Sequence, residues 1–169
     1  LHTLSPILYV CNVDEHDLPD GGPLAQAVRD YAKKEGAPVI IIAAKLEAEL
    51  LELSEAEERE FLASYNLKDF GTVQLVEEGY KLLELITFFS ANAEEARAWT
   101  LPHGSVAHQA AGRIHSDFER GFIRAEVMKC ADLFQYGNLD AVKHHGLARI
   151  EGRDHVIHDG DIIHVRHHE

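Results

Sequence analysis

The sequence has few cysteines, no apolar run of membrane-spanning length and a shortage of positive charge. Its two cysteines, Cys11 and Cys130, cannot form a disulfide framework. Cys11 lies in a predicted buried strand, which favours reduced thiols and a cytoplasmic protein. No apolar run approaches the roughly 18 residues that a membrane helix needs, so no membrane partner is predicted. The net charge is −13, with 16 basic and 29 acidic residues, and this balance argues against DNA binding.

A phosphate-binding motif of the form Gly-x-x-x-x-Gly-Lys-[Ser/Thr] is also absent from the 169 residues. Nothing in the sequence is therefore predicted to cradle phosphates or to hold Mg²⁺. The opening residues, Leu1 to Pro6, contain neither an initiator methionine nor the basic region of a signal peptide. We expect the sequence to be a segment of a longer protein.

Charge divides the chain into two parts. Residues 1–95 hold 19 acidic and 7 basic residues, a net charge of −12, whereas residues 96–169 are close to neutral at −1. Ten of the twelve histidines lie in the second part. This shift predicts a boundary within residues 92–96, with one domain at 1–91 and another at 92–169.

The first domain shows a strand–helix–strand pattern. Two short apolar runs, at 7–11 and 38–44, read as strands buried on both faces of a parallel sheet. Between them, Leu24, Ala27, Val28 and Tyr31 form one helical stripe. Residues 46–64 are predicted as an acidic helix, with capping-box spacing at Ser54–Glu57, and 73–85 as a further helix. Because both strands lack partners in the chain, residues 1–91 are not expected to fold autonomously.

Polar residues follow both predicted strands. Asn12 and Glu15 come after the first strand, and Lys45 follows the second after Ala43 and Ala44. In parallel sheets, ligands bind beyond the carboxyl ends of the strands. The two strand ends therefore predict the base-reading end of a nucleotide pocket.

The second domain alternates strands and short helices over about 75 residues. Strands are predicted at 86–89, 97–101, 121–127, 147–150 and 162–165, and helices after an N-cap at Ser105, at 131–136 and at 138–145. A helix packed on one mixed sheet is an α+β arrangement of the ubiquitin-like β-grasp type.

Clustered histidines raise a metal-binding hypothesis, at His155-x-x-His158 and His164-x-x-His167-His168. Residues three apart on a strand point to opposite faces, so no metal site is predicted. His115 is interpreted as a cap for helix carbonyls. Asp117 and Glu119 lack an accompanying nucleophile, and no catalytic set is predicted.

Four arginines provide the best available RNA or partner-binding patch. Phe118 and Phe122 accompany them, although a salt-bridged surface explains such residues equally well. The four are Arg113, Arg120, Arg124 and Arg149.

Taken in order, several segments resemble the YchF family, the Obg-like ATPases. These segments are 6–15, 43–50, 85–89, 97–100, 114–127 and 159–164. The resemblance implies an α/β domain followed by an α+β domain. The first would contain the last strands of a P-loop (Rossmann-like) nucleotide domain, and the second would be a TGS domain, which is a β-grasp module. It also implies a cytoplasmic ATPase that binds the ribosome or ribosomal RNA, and we expect a monomer.

The resemblance also assigns roles at the predicted pocket. Guanine-reading members of the superfamily use Asn-Lys-x-Asp, whereas here Val13 replaces the lysine and Glu15 the aspartate. By resemblance Asn12 frames the base, Val13 contacts it, and Ala43, Ala44 and Lys45 bring backbone groups against it. ATP is the expected nucleotide and GTP the alternative, with Mg²⁺ bound only through the missing part. Two other hypotheses stay open: a non-catalytic TGS module that docks on ribosome, RNA or protein, and a metal-binding protein.

Overall fold

The computed structural model describes residues 5–91 and 95–168, which fall into two compact units that divide between Leu83 and Glu84. The division lies eight residues before the boundary predicted from the charge shift. The strand at 85–91 pairs along its whole length with the strand at 96–102, so hydrogen bonding ties it to the second unit. The charge shift was assigned to residues that follow this strand in the sequence, whereas the pairing of the strand places it in the second unit. None of the helices in the described residues combines the length and the hydrophobicity that a membrane span requires.

The first unit is built on a two-stranded parallel sheet. Its strands β1 (Tyr9–Asn12) and β2 (Val39–Ile42) pair in a register that sets Tyr9 opposite Val39 and Asn12 opposite Ile42. The elements of this unit are β1 (Tyr9–Asn12), a one-turn 3-10 helix (Glu15–Asp17), α1 (Gly22–Glu35), β2 (Val39–Ile42), α2 (Ala44–Glu49), α3 (Glu55–Ser64) and α4 (Gly71–Leu82). The predicted strand–helix–strand unit with parallel pairing is confirmed.

The predicted burial of this unit is wrong in part. Val10 on β1 is 46% exposed, because the described residues provide only two strands for this sheet. Helix α1 forms where its stripe predicts, but Leu24 is 84% exposed and the buried positions are Ala25 and Ala32. The spacing of the apolar residues therefore predicted that a helix forms here, but it did not predict which face of the helix packs on the two strands.

The acidic segment 46–64 is two helices rather than one. The backbone N–H of Ser54 donates to Oε2 of Glu57 at 2.9 Å, and the Ser54 hydroxyl donates to the same oxygen at 2.6 Å. These bonds lower the pKa of Glu57, the hydroxyl contributing most. The predicted capping pair is confirmed, and it begins a new helix after the break at 50–54.

The second unit is a five-stranded mixed sheet, with the strands in the order β4 (Ala96–Pro102), β3 (Leu85–Ala91), β7 (Asp161–His167), β5 (Phe122–Lys129) and β6 (Arg149–Glu151). Strands β3 and β7 run parallel and the other neighbours are antiparallel. The elements are β3 (Leu85–Ala91), β4 (Ala96–Pro102), α5 (Ala107–Ile114), α6 (Ser116–Arg120), β5 (Phe122–Lys129), α7 (Cys130–Tyr136), α8 (Leu139–His144), β6 (Arg149–Glu151) and β7 (Asp161–His167). Mixed helices and strands agree with the α+β prediction.

Two apolar clusters form the core of this unit. One contains Phe88, Leu101 and Ala110, which joins α5 to the sheet. The other contains Met128, Val142 and Ile162, with side chains of α7 and α8 packed against it. The predicted cap at Ser105 is displaced by one residue: Val106 is the N-cap of α5, and its N–H donates to Oε1 of Gln109 at 2.9 Å.

Candidate functional site

The carboxyl ends of β1 and β2 are joined by hydrogen bonds. The backbone N–H of Ala44 donates to Oδ1 of Asn12 at 3.1 Å, and the N–H of Val13 donates to the Ile42 carbonyl at 2.8 Å. Asn12 therefore ties the end of one strand to the segment that follows the other. Sequence reasoning expected the two ends to meet, and the structure places them together.

A cavity of about 230 Å³ lies against these joined ends. Four of the six predicted base-binding residues line it, namely Val13, Glu15, Ala43 and Lys45. The other two, Asn12 and Ala44, form the bond that holds the strand ends together. Sequence reasoning missed the remaining lining residues, Asp14, His16, Leu46 and Glu49.

Charge in the cavity suits an uncharged group better than a phosphate. Asp14, Glu15 and Glu49 bring three carboxylates to its lining, against one lysine and one histidine. Like charges a few ångströms apart repel, so a polyphosphate chain would be disfavoured there. A neutral heterocycle meets no such penalty.

Glu15 has a partner that the sequence did not indicate. The Tyr65 hydroxyl donates to Oε1 of Glu15, and this bond is the main cause of the raised pKa of Tyr65. Tyr65 follows the last turn of α3, where its ring packs on Phe61 with centroids 4.7 Å apart. The Glu15 carboxylate is therefore held by a residue at the C-terminal end of α3. The only sequence signal was this aromatic pair, four residues apart, in an otherwise acidic segment.

Glu47 fixes α2 against α4. Its two carboxylate oxygens accept the backbone N–H groups of Gly71, at 2.9 Å, and Thr72, at 3.0 Å. These groups belong to the first turn of α4, where helix N–H groups lack partners within the helix. Because Glu47 lies on α2, which starts at Ala44, the contact fixes the segment that follows β2.

We expect Glu15→Gln to lower the pKa of Tyr65 towards the ordinary value, because an uncharged amide stabilises the neutral phenol less than a carboxylate does. Ultraviolet titration of tyrosinate absorbance would measure the change. Glu35→Gln is the matched control, since Glu35 accepts from Tyr9 at 2.7 Å and raises the pKa of Tyr9 to about 12. Glu35→Gln should lower the Tyr9 pKa and leave Tyr65 unchanged. An unchanged Tyr65 titration in Glu15→Gln would contradict the contact.

The Tyr65 contact also predicts how stability changes at high pH. A phenol whose pKa is higher in the folded than in the unfolded protein contributes stability that is fully present below the unfolded value. That contribution is lost as pH rises through the folded pKa. The stability of the first unit should therefore fall above about pH 10. In Glu15→Gln, the part of this fall that comes from the Tyr65 phenol should be smaller.

The four predicted arginines lie on separate elements of the second unit. Arg113 donates through Nε to the Thr100 carbonyl at 3.1 Å, and Arg120 pairs with Asp117, which lowers the Asp117 pKa. Arg124 of β5 lies opposite Arg166 of β7. Arg149 lies on β6 at the sheet edge. Local partners thus engage two of the four, while Arg166, which sequence reasoning missed, adds charge beside a third.

Two histidine interpretations require correction. Nδ1 of His115 accepts the backbone N–H of Asp117 at 3.1 Å, so this ring caps the start of α6 and not the carbonyls of a helix end. His155 and His158 do not lie on a strand, since residues 152–160 form a loop between β6 and β7. The reason given for excluding a metal at this pair therefore does not hold.

Comparison with known proteins gives matches along nearly the whole chain. The family model YchF-GTPase_C, described as a protein of unknown function (DUF933), matches residues 85–168. The ribosome-binding ATPase YchF of Bacillus subtilis is 45% identical over 98% of this chain and 46% of its own length. The protein of the same name from Pasteurella multocida is 43% identical over 97% of this chain and 45% of its own length.

A solved structure agrees with these relatives. The YchF GTPase of Schizosaccharomyces pombe is 31% identical and superposes with a TM-score of 0.81, covering 95% of this chain and 43% of its own. The chain thus spans less than half the length of the relatives it matches. Sequence similarity through both units, from the joined strand ends to the five-stranded sheet, shows that this chain belongs to the YchF family.

Proposed function

We propose that this chain is the C-terminal part of a YchF-type ATPase and that its joined strand ends recognise the adenine base of ATP. The observation that carries the proposal is the cavity beside the Asn12–Ala44 bond, which is lined by Val13 and Glu15 after β1 and by Ala43 and Lys45 after β2. A base inserted there would meet an apolar side chain, a fixed carboxylate and the segment that follows β2.

The carboxylate supports adenine over guanine. Guanine presents an N1–H and an exocyclic amine that one aspartate accepts together, whereas the longer Glu15 is held by Tyr65. Adenine has no N1–H that would need such an acceptor. Leaving one buried donor of guanine unpaired costs about 1–3 kcal/mol. GTP remains the competing ligand in this proposal.

Phosphate binding and hydrolysis are assigned to the part of the protein outside this sequence. The sequence contains no phosphate-binding glycine motif, and the carboxylates around the cavity disfavour phosphates. Mg²⁺ would accordingly be held together with the phosphates by that other part. Within this chain, the residues of the first unit position the base.

A ribosomal partner is the second element of the proposal. Relatives that match both units carry the name ribosome-binding ATPase, and the second unit presents Arg124 beside Arg166 on one face of its sheet. Paired arginines provide favourable contacts for phosphate groups of RNA. The TGS assignment of this unit belongs to the same proposal, as does a cytoplasmic location. A non-catalytic docking module would keep the ribosome contact without base recognition.

Binding of ATP and GTP to the longer parent protein tests the base proposal. We expect ATP to bind about tenfold more tightly than GTP, from the loss of one buried contact at about 1–3 kcal/mol. Competition against a fluorescent nucleotide, with Mg²⁺ present, would measure both constants. Asn12→Ala should weaken both nucleotides, since it removes the bond that joins the strand ends. Equal affinity for ATP and GTP would contradict the assignment of Glu15, and unchanged binding in Asn12→Ala would contradict the site itself.

A further inference from the structure

Three metal-binding side chains converge in the loop that joins β6 to β7. His155, His158 and Asp161 each offer a ligand atom, and these atoms all lie within 4.8 Å of one another. The cluster belongs to the second unit and lies beside a cavity of about 200 Å³ that its three residues help to line. It plays no part in the base recognition proposed above.

Backbone contacts hold the loop in the conformation that brings the two histidines together. The His155 carbonyl accepts the Ala107 N–H at 2.8 Å, and the Ile157 N–H donates to the Ser105 carbonyl at 2.9 Å. Ile157, between the histidines, is 1% exposed and belongs to the core. Because the residue between them is anchored and buried, the backbone positions of His155 and His158 are fixed.

We propose that His155, His158 and Asp161 form a binding site for a divalent transition-metal ion of the zinc class. Two imidazoles and one carboxylate are a donor set that such ions favour, with a fourth position left for water or substrate. Mg²⁺ and Ca²⁺ prefer sets made of oxygen. Tetrahedral coordination at bond lengths of about 2.1 Å sets ligand atoms about 3.4 Å apart.

The three ligand atoms lie within 4.8 Å of one another, and one pair is close to that requirement. Nδ1 of His158 lies 3.8 Å from Oδ2 of Asp161. The His158 side chain is 62% exposed, so its ring can move without disturbing the core. Asp161 is fully buried and held in place, since its Oδ2 accepts the backbone N–H of His158 at 2.8 Å.

Glu151 supplies the support that metal-binding histidines commonly have. Its Oε2 lies 3.2 Å from Nδ1 of His155. A carboxylate bound to one ring nitrogen orients the imidazole and leaves Nε2 as the donor for the metal. In this arrangement Glu151 is a positioning residue, whereas His155 is a ligand.

Lys129 is the competitor for the same carboxylate. Its ammonium donates to Oδ1 of Asp161 at 2.6 Å, and the Lys129 side chain is 51% exposed. A metal ion at Asp161 and an ammonium on its other oxygen repel each other. The exposed lysine can withdraw into solvent when an ion binds. If Asp161 is a metal ligand, removing the Lys129 ammonium should therefore change the affinity for the metal ion.

Calorimetric titration of Zn²⁺ into the protein tests the site, with excess Mg²⁺ present to occupy oxygen-rich sites. Co²⁺ absorption provides a second readout, because its visible bands report nitrogen ligation and coordination geometry. We expect one Zn²⁺ per chain at this site. His155→Gln and His158→Gln should each weaken binding by more than about 100-fold, and Glu151→Gln by about tenfold, as is common for residues that support a ligand.

Two comparisons separate this site from other surface histidines and from a structural ion pair. His144→Gln with His168→Gln removes two exposed histidines of the same unit and should leave Zn²⁺ affinity unchanged. Lys129→Met should strengthen Zn²⁺ binding several-fold, since the competing ammonium is gone. The proposal is overturned if Zn²⁺ does not bind, or if His155→Gln and the control lose affinity equally. It is also overturned if Lys129→Met binds Zn²⁺ no better than the original protein.

Discussion

The double variant Val13→Lys, Glu15→Asp should move the nucleotide preference of the parent protein from ATP towards GTP by about 10- to 100-fold. Each restored contact contributes roughly 1–3 kcal/mol, partly offset by surroundings that did not evolve around guanine. The shorter carboxylate can accept both the N1–H and the amine of guanine. The new lysine stem can pack along the base where the valine side chain lies beside the cavity.

The Tyr65 contact makes the single variants informative. Glu15→Asp alone shortens the carboxylate and withdraws it from the Tyr65 hydroxyl, which now donates to Glu15. Tyr65→Phe removes that hydroxyl while leaving Glu15 at full length. If carboxylate length controls the preference, Glu15→Asp should shift it and Tyr65→Phe should change it little. Competition binding with ATP and GTP would be measured for the original protein, the double variant and the two single variants. An unaltered ratio of ATP affinity to GTP affinity in the double variant would refute the proposed recognition of the base.

In the longer parent protein, Gly71→Ala should destabilise the first unit by about 3 kcal/mol, the upper end for overpacking a filled site. A Cβ at this position would overlap the Ile41 carbonyl oxygen and lie 2.9 Å from the Ile42 Cα. Both atoms belong to the backbone of β2, so relief requires moving either the strand or α4. A loss of this size is a large fraction of the roughly 5–15 kcal/mol that stabilises a typical domain.

Gly79→Ala is the matched control on the same helix. An added Cβ at Gly79 meets nothing within 4 Å, and alanine in a helix interior is favoured over glycine by about 0.5–1 kcal/mol. This variant should therefore be slightly more stable. Hydrogen exchange of residues 5–83, recorded at increasing denaturant concentration, would measure the change in stability of both variants. Gly71→Ala should also weaken ATP binding, because Ile42 leads directly into Ala43 of the cavity; equal stability of the two variants would disprove the close contact.

Periodicity identified most helices and strands of the fold because local spacing reflects local geometry. The parallel pairing of β1 and β2 and the separate capping pair at Ser54 and Glu57 were both predictable on this basis. The packed side of a helix was not. Leu24 is more apolar than Ala25, yet Ala25 is buried, because close approach of α1 to two short strands favours a small side chain.

The candidate site was predicted where neighbouring strand ends define it and missed where distant segments contribute. Asn12 and Lys45 follow directly from strand order. Tyr65 lies 50 residues from Glu15, and no local pattern connects the two. For the histidine pair, the prediction that was wrong is the strand: the spacing was interpreted on a strand, whereas His155 and His158 lie in a loop held by backbone bonds to Ser105 and Ala107.

The position of β7 has a consequence for how the second unit acquires its structure. This strand lies between β3 and β5 at the centre of the sheet, although it comes latest in the sequence among the described strands. The β3–β4 hairpin is local and can form early, but its pairing with β7 spans more than 70 residues. Such non-local closure is slow compared with helix formation. We therefore expect β3 and β4 on one side, and β5 and β6 on the other, to remain separate halves of the sheet until residues 161–167 are available to join them.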